Sequence, residues 1–216
     1  LAEMTSRGVE LLGRTKNGFV LMVEGGRIDH AHHECNAWRV LTDTEIFDDA
    51  IGAAIAACDL RKTMMLVTSD HGHVFNVGGY PLRPFNELPY KVPGMVPAGY
   101  AKAPFSGILG VVFDLDEKAW GIGETLDRNK TPYTVLSYGN GPGYRSQPRV
   151  DPRTDATPGY LGLIPSGPTD PAYLFEAAVP LSGDTHSGED QGVWAIGAGS
   201  SMVRRSEERR GGKECR

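Results

Sequence analysis

All six histidines of this 216-residue chain stand in three short segments, and each segment also carries carboxylates. The first is Val23-Glu24-Gly25-Gly26-Arg27-Ile28-Asp29-His30-Ala31-His32-His33-Glu34. The second is Thr68-Ser69-Asp70-His71-Gly72-His73, and the third is Gly183-Asp184-Thr185-His186-Ser187-Gly188-Glu189-Asp190. Imidazole and carboxylate without thiolate form a ligand set that suits zinc and other borderline divalent metals. Such a site constrains the fold strongly, because distant parts of the chain must converge on it.

The apolar runs set the expected elements. Phe19-Val20-Leu21-Met22-Val23 is unbroken and ends at Glu24-Gly25-Gly26, which reads as a strand buried on both faces. From about Cys35 to Cys58, Ala37, Val40, Leu41, Thr44, Phe47, Ile51, Ala54, Ile55 and Cys58 recur with the period of a one-sided helix. Met64-Met65-Leu66-Val67-Thr68 reads as a second buried strand, ending at Ser69-Asp70-His71. Strand, helix and strand make a βαβ unit, hence an α/β fold with a parallel sheet and a right-handed crossover. Ligands in such sheets bind beyond the carboxyl ends of the strands. Glu24, Asp29, Asp70 and His71 all follow expected strand ends.

Beyond residue 80 the pattern loosens. Pro81, Pro84, Pro89, Pro93, Pro97 and Pro104 punctuate a glycine-rich stretch, so 81–131 reads as a loop-rich insertion. Ile108–Phe113 is the strand expected within it. Tyr133–Ser137 reads as a third strand, followed by the turn signal Tyr138-Gly139-Asn140-Gly141-Pro142-Gly143. Val193–Gly197 reads as a last strand. The expected organisation is a βαβ core over 1–80, the insertion over 81–131, further core over 132–203 and a tail over 204–216.

Charge and cysteine usage narrow the classes. Net charge is −5, but the tail carries +3, which leaves −8 on the rest. An acidic body of that kind argues against a nucleic-acid partner. The tail has no apolar period and reads as disordered or non-native sequence. No apolar run approaches the ~20 residues that span a bilayer. The chain opens Leu1-Ala2-Glu3, without initiator methionine or secretory signal, and reads as a fragment. Cys35 and Cys58 on one helix would be ~35 Å apart, too far for a disulfide.

Asp29 and His33 are spaced i, i+4, so a helix starting near Asp29 presents both from one face. His186 completes that ion's sphere from a distant loop. Asp70 and His71, adjacent at a strand end, can address a second ion. Glu24 suits a harder cation such as magnesium. Each residue also has a structural reading. Asp70-His71 can be a strand-end turn, Glu24 an exposed cap and His186 a loop histidine, with His30, His32 and His73 structural or at the surface. The joint pattern favours metal.

The segments V-E-G-G-R-I-D-H-A-H-H (Val23–His33), T-S-D-H-G-H-V-F-N-V-G-G-Y (Thr68–Tyr80), Y-G-N-G-P-G-Y (Tyr138–Tyr144) and D-T-H-S-G-E-D (Asp184–Asp190) follow one another in this order. Together they resemble the C-terminal half of animal alkaline phosphatases, over residues 17–80 and 131–197. The resemblance implies an α/β sandwich of helices around a large, mostly parallel central sheet, with 81–131 as a crown-like surface insertion. It implies two zinc ions and one magnesium ion: Asp29, His33 and His186 on the first zinc, Asp70 and His71 on the second, and Glu24 on the magnesium. It sets His30 near the substrate phosphate and gives His32 and His73 supporting roles. Tyr80 would reach toward a partner subunit in a homodimer. The implied reaction is hydrolysis of phosphate monoesters through a serine nucleophile and a phosphoseryl intermediate, with the metals neutralising charge at both ends of an in-line displacement. The resemblance also implies an extracellular, membrane-anchored setting.

Departures from the family pattern bear on activity. The family's serine nucleophile, phosphate-binding arginine, shared aspartate ligand and a further magnesium ligand belong to its N-terminal half and have no counterpart here. Ser69 and Arg27 occupy other positions of the motifs. The expectation is a chain that carries most metal ligands and does not turn over substrate alone. Two other readings are a related phosphodiesterase or sulfatase-type hydrolase, which the E-G-G-R-I-D-H-A-H-H run opposes, and a catalytically inactive metal-binding fragment.

Overall fold

The computed structural model describes residues 1–79, 108–116, 121–145, 151 and 167–203. In chain order its elements are α1 (Ala2–Leu12), α2 (Arg27–His33), α3 (Ala37–Ala57), β1 (Met64–Thr68), β2 (Gly72–His73), β3 (Phe75–Val77), β4 (Phe113–Asp116), β5 (Gly121–Glu124), β6 (Leu136–Gly141), β7 (Ala177–Pro180), β8 (His186–Ser187) and β9 (Val193–Gly197), with a 3-10 turn at Ser200–Met202. The chain divides into two units. One comprises Leu1–Glu24, Ile46–Gly72 and Gly188–Arg216, and the other Gly25–Glu45 and His73–Ser187.

In the first unit, α1 is a helix the apolar pattern did not announce. Its Glu10 pairs with Arg14 at 2.6 Å and also with Arg7, the i, i+4 and i, i+3 spacings that support an exposed helix. The expected strand over Met64–Thr68 forms as β1, and that over Val193–Gly197 forms as β9. They pair antiparallel with each other, Met64 opposite Gly197 and Thr68 opposite Val193. Phe19–Val23 has the composition of a strand but no ladder among the described residues, and Val20 and Met22 are exposed. The expected βαβ unit is therefore not formed there. A strand exists only with a hydrogen-bonded neighbour, and the neighbour that β1 finds comes from the far end of the chain. Met64, Leu66 and Thr68 are exposed in turn along β1, so it is covered on one face rather than two.

In the second unit the helix expected near Asp29 forms as α2, and the one expected from about Cys35 to Cys58 begins as a separate helix, α3. Cys35 adopts a left-handed backbone (φ 53°), which ends α2. Asn36 then caps α3, its Oδ1 accepting the Arg39 N–H at 3.0 Å. The Asn36 amide also donates to the Pro171 carbonyl at 2.9 Å, tying the helix start to a loop. β3, β6 and β7 form one sheet, β3–β6 antiparallel and β6–β7 parallel. β4 pairs antiparallel with β5, and β2 forms a two-stranded sheet with β8. The third expected strand begins later, at Leu136, and runs on through Tyr138–Gly141, which had read as turn. The strand expected at Ile108–Phe113 is displaced to Phe113–Asp116.

The core of this unit gathers Cys35, Ala37, Leu109, Val112, Val135, Leu136, Tyr138, Tyr173, Phe175 and Ala177. Leu109 and Val112 belong to the stretch read as an insertion, so part of that stretch contributes buried apolar surface. No helix among the described residues is long and apolar enough to cross a membrane.

Candidate metal centre

α2 presents Asp29 and His33 one turn apart, as their spacing requires, with Asp29 Oδ1 3.3 Å from His33 Nε2. His186, at the start of β8, brings its Nε2 to 3.3 Å from His33 Nε2 and 3.5 Å from Asp29 Oδ1. Three potential ligand atoms thus form a nearly equilateral triangle. An ion held tetrahedrally at about 2.0–2.2 Å has its ligand atoms about 3.3–3.6 Å apart. The spacing and the donor set, two imidazole nitrogens and one carboxylate oxygen, both fit zinc. The three side chains are between 36% and 48% exposed, which leaves the centre open to solvent.

Beneath them the site is closed. His73, in β2, has a buried ring with Nε2 3.1 Å from Asp29 Oδ1. Its Nδ1 lies 3.0 and 3.1 Å from the two carboxylate oxygens of Asp184. Facing both oxygens of one carboxylate, His73 Nδ1 carries a hydrogen and donates it toward Asp184. Burial pushes the Asp184 carboxyl above its ordinary range, and the imidazoles of His73, His33 and His186 pull it part of the way back. His32 stacks on His73 with ring centroids 4.4 Å apart, and His32 Nδ1 is hydrogen-bonded to the Tyr138 hydroxyl at 3.1 Å. Burial also holds the Tyr138 phenol well above its ordinary pKa, so it remains a neutral hydroxyl.

Of the residues singled out from sequence, Asp29, His33 and His186 converge. His73, given a supporting role, has a ligand atom within 4.8 Å of those of both Asp29 and His186. His30 lies exposed on α2. In the other unit, His71 Nδ1 donates to the Gly72 carbonyl at 3.2 Å, and His71 Nε2 stands 3.6 Å from Asp70 Oδ2. The Asp70 side chain is 90% exposed, open to a ligand. Glu24 is exposed. Tyr80 lies outside the described residues, as does the tail 204–216. Sequence reasoning left Asp184 unassigned. Its available signal was the acid two positions before His186, since residues i and i+2 of an extended segment share a side.

Comparison with known proteins agrees with the motifs. The family model for alkaline phosphatase matches residues 1–211. The chain is 36% identical to an alkaline phosphatase of Gadus morhua over 197 residues, covering 91% of this chain and 33% of that protein. It is 34% identical to the tissue-nonspecific alkaline phosphatase isozymes of Mus musculus and Rattus norvegicus, again over 91% of this chain and 30% of each. The chain spans about a third of the length of these relatives. A match over nearly the whole chain, with the motif histidines gathered as described, shows that it belongs to the alkaline phosphatase family.

Proposed function

We propose that the chain carries the histidine-rich part of a phosphate monoesterase site that uses two zinc ions and one magnesium ion. Asp29, His33 and His186 hold the first zinc. The observation that carries this reading is the triangle of their ligand atoms, with edges of 3.3, 3.3 and 3.5 Å. Asp70 and His71 hold the second zinc, and Glu24 holds the magnesium. Support for these is the motif resemblance, together with the His71 Nδ1 hydrogen bond, which leaves Nε2 as the metal-facing nitrogen. A bound divalent ion supplies Lewis acidity toward a phosphoryl oxygen and lowers the pKa of water.

The chain's own residues bind and orient. The α2 turn fixes Asp29 against His33, the buried His73–Asp184 pair holds Asp29 from below, and His30 meets the substrate phosphate. In the whole protein the substrate is a phosphate monoester and the assembly a homodimer contacted through Tyr80. Its setting is extracellular and membrane-anchored. There the α/β architecture extends to a sandwich of helices around a large, mostly parallel sheet. The nucleophile is not among the matched motifs, so the 216-residue chain binds metal without turning over an aryl phosphate.

Calorimetric zinc titration of the full chain tests the first site. One tight equivalent is expected, lost in the Asp29→Ala, His186→Ala double variant. Equal binding by both proteins would overturn the assignment.

A further inference from the structure

Asp184 lies under the candidate centre with its side chain wholly buried. A carboxylate removed from water is costly unless partners replace its hydration. Its partners here are two imidazoles. Oδ1 and Oδ2 stand 3.0 and 3.1 Å from His73 Nδ1, and Oδ1 is also 3.1 Å from His33 Nδ1. The main chain of the same residue adds two contacts. Its carbonyl accepts from His33 Nδ1 at 2.8 Å, and its N–H donates to the His33 carbonyl at 3.2 Å.

These contacts select a tautomer. A carbonyl oxygen only accepts, so His33 Nδ1 carries a hydrogen and His33 Nε2 presents its lone pair. That nitrogen is the one 3.3 Å from both Asp29 Oδ1 and His186 Nε2. His73 Nδ1, facing two carboxylate oxygens, likewise carries a hydrogen, and the ring so held brings Nε2 to 3.1 Å from Asp29 Oδ1. Asp184 also precedes His186 by two residues. One side chain thereby ties α2, which bears Asp29 and His33, to the segment that bears His186.

We propose that Asp184 is the positioning residue of this centre: it locks the ring orientation and Nδ1–H tautomer of His33 and His73, and through them aims His33 Nε2 and Asp29 Oδ1 at one ion. The proposal rests on the zinc reading above for its functional meaning. Its geometric content stands in the metal-free chain.

The experiment has two arms on the full 216-residue chain. In the first, long-range proton–nitrogen NMR of the metal-free protein reads the imidazole tautomers directly. His33 and His73 are expected as Nδ1–H forms in the wild type. In Asp184→Asn, His73 is expected to lose that preference while far-UV circular dichroism stays unchanged. An Nε2–H tautomer at His33 in the wild type would overturn the proposal without any variant. So would imidazole spectra that Asp184→Asn leaves unaltered.

In the second arm, cobalt(II) titration followed by visible absorption reads metal affinity and geometry. The wild type is expected to show a tetrahedral cobalt spectrum, and Asp184→Asn to bind about 10–100-fold more weakly. Equal cobalt affinity in the two proteins would overturn the positioning role. If the wild type binds no cobalt while its tautomers are as expected, the metal reading fails and the ring-locking role survives.

Discussion

Asn140 and Thr185 hold each other by two hydrogen bonds, the Thr185 N–H donating to Asn140 Oδ1 and the Asn140 amide donating to Thr185 Oγ1, both at 2.9 Å. Thr185 separates Asp184 from His186, so this clamp from β6 sets the path of the segment that delivers both. Asn140→Ala removes the clamp and no ligand. Zinc affinity is expected to fall about tenfold, the size of effect typical of residues that orient ligands. Stability should fall by about 1–3 kcal/mol for the two lost bonds. Competition titration against a chromophoric chelator measures the first quantity, and unchanged affinity would show that the clamp does not position His186.

Tyr138→Phe isolates a single buried hydrogen bond. The hydroxyl meets His32 Nδ1 at 3.1 Å, and Tyr138 is 2% exposed. Removing it leaves the buried side of His32 without that partner, at an expected cost of about 1–2 kcal/mol. A urea midpoint lowered at unchanged slope is the expected result. His32 stacks on His73, so the imidazole signals of His73 should also move.

Gly141→Ala should be among the most damaging single changes in its unit. Gly141 has φ +134°, a backbone conformation that costs other residues about 1–3 kcal/mol. A Cβ there would also collide with Cys35 Sγ and press on Asp184. With the clash added, a loss of roughly 3 kcal/mol or more is expected. Thermal or urea denaturation checks it, and a change below about 1 kcal/mol would contradict the packing described.

Cys35 is expected to resist alkylation at pH 8 while Cys58 reacts. Cys35 is fully buried, and burial pushes its thiol from the ordinary 9.0 to about 12, with the Asp184 carboxylate adding to the effect. At pH 8 the thiolate fraction is about one in ten thousand. Cys58 is only partly buried. The sign for stability follows from the same shift. Between pH 9.0 and about 12 the folded chain keeps this proton and the unfolded chain releases it, so stability falls as pH rises through that window. Peptide mapping after iodoacetamide treatment tests the first expectation. Comparing Cys35→Ala with the wild type in alkaline denaturation tests the second.

The parts of the site legible in sequence are those that depend on local geometry. The four-residue step between Asp29 and His33 is a helical spacing, and α2 delivers both to one face. The period from Ala37 to Ala57 marks α3 because a helix makes its own hydrogen bonds and records its buried side residue by residue. The end of α2 was less visible. A cysteine at φ 53° is not a residue that announces a left-handed turn, although Asn36 after it is a recognisable cap. Composition also marked Met64–Thr68 and Phe19–Val23 alike as strands, and only the first has a ladder among the described residues.

By itself the sequence determined the chemistry available to this protein: six histidines in three carboxylate-bearing segments, in the order and spacing of the alkaline phosphatase motifs. Only the tertiary structure decided which of these atoms meet. It set β1 antiparallel to β9, brought His186 to Asp29 and His33, and buried Asp184 against His73 and His33. Strand pairing and the satisfaction of a buried carboxylate depend on partners far away in the chain. No local period records such partners, whereas helical spacing is written into neighbouring residues.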